Sequence, residues 1–108
     1  MKKFLITLLV LVLLAGLFIA AYYFLWTPEN FAILGEKKMA EGNYEAAAER
    51  YEIAVSLDPR NHDYVMELVE AYTSEKNYTK AERALVTAIR ANPTATLYCK
   101  LSELYVAQ

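Results

Sequence analysis

Few side chains in this sequence could carry out reaction chemistry. Among its 108 residues His62 is the only histidine and Cys99 the only cysteine. An imidazole works as a base or metal ligand when a carboxylate, nucleophile or second ligand stands within reach. No recognised spacing gives His62 such a neighbour, and it reads as an exposed residue at a helix start. A lone cysteine excludes an internal disulfide and a multi-cysteine metal site, so Cys99 has only intermolecular pairing open to it. Gly35 and Gly42 lack the glycine run and the Lys-Ser or Lys-Thr ending of a phosphate loop. Asn77-Tyr78-Thr79 matches a glycosylation acceptor, but Asn77 falls in a turn and matches Asn43 of an earlier turn, so the structural reading is preferred. The chemistry left is that of carboxylates. Glu36, Glu70 and Glu103 lie 34 and 33 residues apart, and carboxylates at a recurring position attract cations. No enzymatic activity, cofactor or metal is expected.

The recurrence extends over the chain after its N-terminal run. Comparing Asn30–Asn61 with Tyr64–Ala95 gives eight identities at an offset of 34: Leu34/Leu68, Glu36/Glu70, Glu41/Glu75, Asn43/Asn77, Tyr44/Tyr78, Ala47/Ala81, Ala54/Ala88 and Pro59/Pro93. That period is the mark of repeated helix pairs. Five helices are expected after the N-terminal run: Pro28–Glu41, Tyr44–Leu57, His62–Ser74, Tyr78–Ala91 and Ala95–Ala107. Turn residues separate them at Gly42-Asn43, Asp58-Pro59-Arg60-Asn61, Lys76-Asn77 and Asn92-Pro93. Within the second of these helices Ala47, Tyr51, Ala54 and Val55 form one apolar stripe, leaving Glu45, Glu49, Arg50 and Glu52 for water. The expected fold is all-α: a transmembrane helix, then a short solenoid of two full repeats (about 28–61 and 62–94) and the first helix of a third (95–108).

These residues resemble the tetratricopeptide repeat, whose pattern is W-x2-L-G-x2-Y, then A-x3-F, then P. Phe31-x2-Leu34-Gly35, Ala47-x3-Tyr51 and Pro59 carry the match, with Lys38 where an aromatic is expected. The second copy keeps Leu68, Tyr72, Ala81 and Pro93, and has Val65, Val69 and Leu85 at the other positions. Packing between helices is therefore assigned to Leu34, Gly35, Tyr44, Ala47, Tyr51, Ala54, Pro59, Leu68, Tyr72, Tyr78, Ala81, Ala88 and Pro93. Val69 replaces a small residue with a β-branched one, which should widen the contact between its two helices. Leu101-Ser102-x2-Tyr105 repeats the first-helix signature one residue early. Leu97, Leu101, Leu104 and Tyr105 then form a stripe covered from one side only. Terminal repeats need a polar outer face, so the expectation is either further chain beyond Gln108 or docking of this end on a partner or second copy.

From Phe4 to Trp26 the sequence has 23 residues without charge, enough helix to span a bilayer. A cleaved signal is the alternative, but no A-x-A site ends the run and its length exceeds that of a signal core. Leu14-Ala15-Gly16 begins like a lipoprotein box, and Leu17 stands where the lipidated cysteine must be. Residues 1–26 are therefore expected to be a signal anchor and 27–108 the repeat domain. Lys2, Lys3 and the amino terminus put the N-terminus in the cytoplasm and the repeats outside, by the positive-inside tendency. Tyr22, Tyr23 and Trp26 suit the membrane interface, and Gly16-x3-Ala20 has the small-x3-small spacing that permits self-association. Thr27–Gln108 carries nine basic and thirteen acidic residues, which argues against a nucleic-acid surface.

The resemblance implies binding of a protein or peptide in a groove lined by the first helix of each repeat. In this register the groove holds Glu29 with Asp63 and Thr96, Ala32 with Met66 and Cys99, Glu36 with Glu70 and Glu103, and Met39 with Thr73 and Val106. A ladder of glutamates favours a partner with Lys, Arg or a free amino terminus, and methionines offer adaptable apolar contact. The other reading of the ladder is a solvated acidic face. The lysines and asparagines with which related repeats clamp acidic chaperone tails are absent, Ala32, Glu36, Met66 and Glu70 standing instead. The leading function is a membrane-anchored scaffold for a partner protein near a bacterial-type cell membrane, in envelope assembly or export. The alternatives are a spacer presenting a further domain and the non-catalytic N-terminal part of an envelope enzyme.

Overall fold

A computed structural model describes residues 1–108, which form six helices and no strand: α1 Lys2–Leu25, α2 Pro28–Ala40, α3 Tyr44–Leu57, α4 His62–Ser74, α5 Tyr78–Ala91 and α6 Ala95–Ala107. Each helix after α1 starts where a short polar side chain satisfies a free backbone N–H of the first turn. Thr27 accepts from Asn30 N–H at 3.3 Å, Asn43 from Ala46 at 3.3 Å, Asn61 from Asp63 at 3.1 Å, Asn77 from Lys80 at 3.3 Å and Thr94 from Leu97 at 3.4 Å. Asn77, the residue of the glycosylation motif, thus serves as a helix cap. The single boundary that differs from expectation is Glu41, which is the C-cap of α2 rather than its last residue.

The turns inside both repeats have the same hydrogen bonds. Gly42 N–H donates to the Met39 carbonyl and Asn43 N–H to Lys38, while Lys76 N–H donates to Thr73 and Asn77 N–H to Tyr72. This pattern reverses the chain through one left-handed residue. Gly42 occupies that position at φ 78°, and Lys76 occupies it at φ 62°. Lysine has a Cβ that opposes this conformation, so the second turn is strained where the first is not.

Neighbouring helices pack in succession from α2 to α6 around one cluster of sixteen buried apolar residues. The two repeats fill equivalent space differently. In the first, Gly35 lies against the ring of Tyr51; in the second, Val69 and Leu85 hold the equivalent positions, and both are fully buried. Small-with-large has become medium-with-medium, an exchange that adds bulk at the contact. Close backbone approaches are fewer between α4 and α5 than between α2 and α3, in the direction expected from Val69.

Some residues assigned to packing lie outside the core. Leu34 is 42% exposed although its counterpart Leu68 is 5% exposed. Leu68 is flanked by the helix of the preceding repeat, and no such helix precedes α2. Pro59 and Pro93 are exposed in the inter-repeat turns, where their role is to end the helix before them. Tyr44 is exposed at the start of α3, while Tyr78 is half-buried. At the far end Leu97 and Leu104 of α6 are buried, whereas Tyr98, Tyr105 and Val106 are exposed.

α1 has no buried residue and is long and apolar enough to cross a membrane. Its join to α2 is short and fixed: the Asn30 amide donates to the carbonyls of Leu25 at 3.3 Å and Phe24 at 3.4 Å. Trp26 stacks on Tyr22 at 5.2 Å and meets the ring of Phe31 edge-on at 4.9 Å.

Candidate functional site

The helical period places the residues of α4 on two opposed faces. At about 100° per residue, Asp63, Glu67 and Glu70 fall on one side and Val65, Leu68 and Tyr72 on the other. The first side faces α2. Glu36, Glu67 and Glu70 all act on Tyr51 of α3, whose ionisation is pushed up to about 12 by burial and then by the charges of Glu67, Glu36 and Glu70. Glu67 is held above the ordinary carboxylate range by burial, then by Glu36, Asp63 and Glu70. One of its carboxylate oxygens, Oε2, is buried with no hydrogen-bond partner. An acid in this position is short of positive charge and of donors.

The other groove positions divide between this cluster and the rest of the chain. Glu29 and Asp63 are exposed and both act on Tyr64, whose ionisation is raised by burial and by Glu29, Asp58, Glu67 and Asp63. Met39 and Met66 are half-buried against the core, leaving an apolar edge beside the acids. Ala32 is 6% exposed and belongs to the core, so it offers no groove surface. The hydroxyl of Thr73 is occupied, donating to the Val69 carbonyl at 2.7 Å. Glu103 pairs with Lys100 at 3.6 Å, and both border a small hollow of about 180 Å³ with Thr73, Leu104 and Ala107. Glu36 and Glu70 thus act on the same tyrosine, Tyr51, while Glu103 has a cation of its own. Cys99 is exposed on α6, and His62 is half-exposed at the start of α4.

Glu67 is the member that the repeat comparison passes over, because its counterpart in the first repeat is Ile33. A signal was present: Asp63, Glu67 and Glu70 stand at i, i+4 and i+7, one face of a helix. The opposite side of α4 was also overlooked. There Val65, Leu68 and Tyr72 form the floor of a groove of about 360 Å³ between α3 and α5.

A succession of helix pairs with a 34-residue period, stacked so that the first helix of the second pair, α4, packs between α3 and α5, defines an α-helical repeat scaffold. A family model described as Tetratricopeptide repeat matches residues 38–102, and the chain belongs to the tetratricopeptide repeat family. No curated protein matches it. Repeats of this family are typically non-catalytic and bind proteins or peptides.

Proposed function

We propose that this chain is a membrane-anchored interaction module that holds a partner protein or peptide by a cationic group on the face shared by α2 and α4. In this reading residues 1–26 are an anchor that crosses the membrane once and residues 27–108 are the binding domain. The observation that carries it is the unpartnered buried oxygen of Glu67 beside Glu36, Asp63 and Glu70. A lysine, arginine or free amino terminus from a partner supplies both the donor and the charge that this cluster lacks. Met39 and Met66 then contact the apolar part of the same segment. The charges at Lys2 and Lys3 favour a cytoplasmic N-terminus with the repeats outside, which suits a role in envelope assembly or export in a bacterial-type cell. Gly16 and Ala20 are exposed on α1 and fit self-association within the membrane.

A second reading, in which the repeats are a spacer or the non-catalytic part of an envelope enzyme, is favoured by one feature. Tyr98, Tyr105 and Val106 of α6 are exposed, as expected where more structure follows or docks. Cross-linking in intact membranes distinguishes the two. Glu36→Lys with Glu70→Lys should abolish partner capture while circular dichroism stays unchanged; capture that persists in the double variant removes the acidic-face reading.

A further inference from the structure

The groove on the other side of α4 has an independent chemistry. It exists because α5 presents small residues, Ala84, Ala88 and Ala91, to the space facing Val55 of α3. From Lys80 to Ala91 the helix rises about 16 Å at about 1.5 Å per residue. The groove is thus elongated, with a volume of about 360 Å³. A guest helix of the same length and about 10 Å across fills roughly 1,200 Å³ and would rest mostly outside it. An extended peptide brings backbone N–H and C=O groups that need partners at every residue; the apolar floor and alanine wall supply none, and Thr87 adds a single hydroxyl. The hydroxyl of Ser56 is already committed to the Ile53 carbonyl at 2.8 Å. An alkyl chain asks for no hydrogen bonds.

One end of the groove is charged. Lys80 and Arg83 line it there, and neither belongs to an ion pair, the pairs in the molecule being Lys38–Glu41 and Lys100–Glu103. Lys80 Nζ lies 5.9 Å from the ring centre of Tyr72, within reach of its π face. Glu52, at the same end, accepts the hydroxyl proton of Tyr72. Lys80 and Arg83 thus outnumber the one carboxylate at this end, Glu52, and Pro59 and Ala91 lie at the opposite end of the groove.

We propose that this groove binds a single-chain anionic amphiphile, a free long-chain carboxylate, with its tail along Ala84, Ala88 and Ala91 and its head at Lys80 and Arg83. The test uses the full chain in lipid nanodiscs and a diazirine-bearing dodecanoic acid, with labelled sites mapped by mass spectrometry. Labels are expected in the 55–59 and 84–91 segments, displaced by dodecanoate and not by dodecanol. Ala84→Phe with Ala91→Phe, which fills the groove, should abolish them. Lys80→Glu with Arg83→Glu changes only exposed side chains and should raise the half-saturating concentration about tenfold or more, as loss of a charge-assisted contact does. Labels confined to α1, labels on α3 and α5 that survive both double variants, or labelling by a lysophospholipid probe in place of the carboxylate would each overturn the proposal. So would a groove that becomes protected as the protein dimerises on concentration, since its occupant would then be a second copy. Because the acidic face lies on the opposite side of α4, Glu36→Lys with Glu70→Lys leaves this labelling intact whether or not it abolishes partner capture.

Discussion

Gly35 lies so close to Tyr51 that a Cβ on the glycine would stand 2.6 Å from Cε1 of the ring. The tyrosine is 3% exposed and part of the core, so it has little room to withdraw. Gly35→Ala should therefore destabilise the repeats by about 1–3 kcal/mol, as overpacking does. The second repeat supplies the remedy: Gly35→Val combined with Tyr51→Leu reproduces its Val69 and Leu85 pair. In a double-mutant cycle followed by chemical denaturation, the two changes should be strongly coupled, by about 1–3 kcal/mol. Additive effects would show that the contact does not set the spacing of α2 and α3.

The two intra-repeat turns make a second pair of expectations. Lys76, at φ 62°, should be replaceable by glycine with a gain of about 0.5–1 kcal/mol, because the left-handed conformation then meets no Cβ. Gly42→Ala, at φ 78°, should cost about 1 kcal/mol for the same reason in reverse. Nothing lies within 4 Å of a Cβ added there, so a loss measures backbone conformation alone. Equal stabilities in urea titrations would contradict this.

Glu67 imposes a pH dependence whose sign is fixed. Its folded pKa lies above the ordinary value of 4.5, so the folded state holds the proton more tightly than the unfolded one. Stability from this group is present below that ordinary value and is lost as pH rises through the folded pKa. Glu67→Gln should raise the melting temperature at pH 7 and flatten its fall between mildly acidic and neutral pH. A partner cation at the site has the opposite effect on the wild-type carboxylate, lowering its pKa. Melting curves of both proteins across pH 4.5 to 7.5, about the range in which carboxylates perturbed by burial titrate, check the first statement.

Topology is tested in cells. With the N-terminus cytoplasmic, protease added to intact cells, or to spheroplasts where an outer membrane is present, should degrade the repeats before lysis. Protection until lysis would place them in the cytoplasm, against the charge argument at Lys2 and Lys3.

The link between α1 and α2 should respond to a single side chain. Asn30→Ala removes the amide that donates to Leu25 and Phe24, leaving carbonyls at the end of α1 without that partner. Faster amide exchange from Trp26 to Phe31, with α3 to α6 unchanged, is the expected result.

Local chemistry explains why the helix limits could be read from the sequence. Thr27, Asn43, Asn61, Asn77 and Thr94 each cap the helix that follows within three residues, and a cap is a property of neighbours along the chain. The 34-residue period and the apolar stripes likewise determined the all-helical repeat architecture. Which face each residue meets was decided only in three dimensions. Leu34 and Leu68 share a repeat position, yet one is exposed and the other buried, because burial depends on whether a helix lies beside them. Glu36, Glu67 and Glu70 come from two helices and all act on the ionisation of Tyr51 of a third, and the groove along α5 forms because its small residues Ala84, Ala88 and Ala91 share one lining with Val55 of α3. Spacing along a helix sets the direction of a side chain; only the packing of several helices sets what stands opposite it.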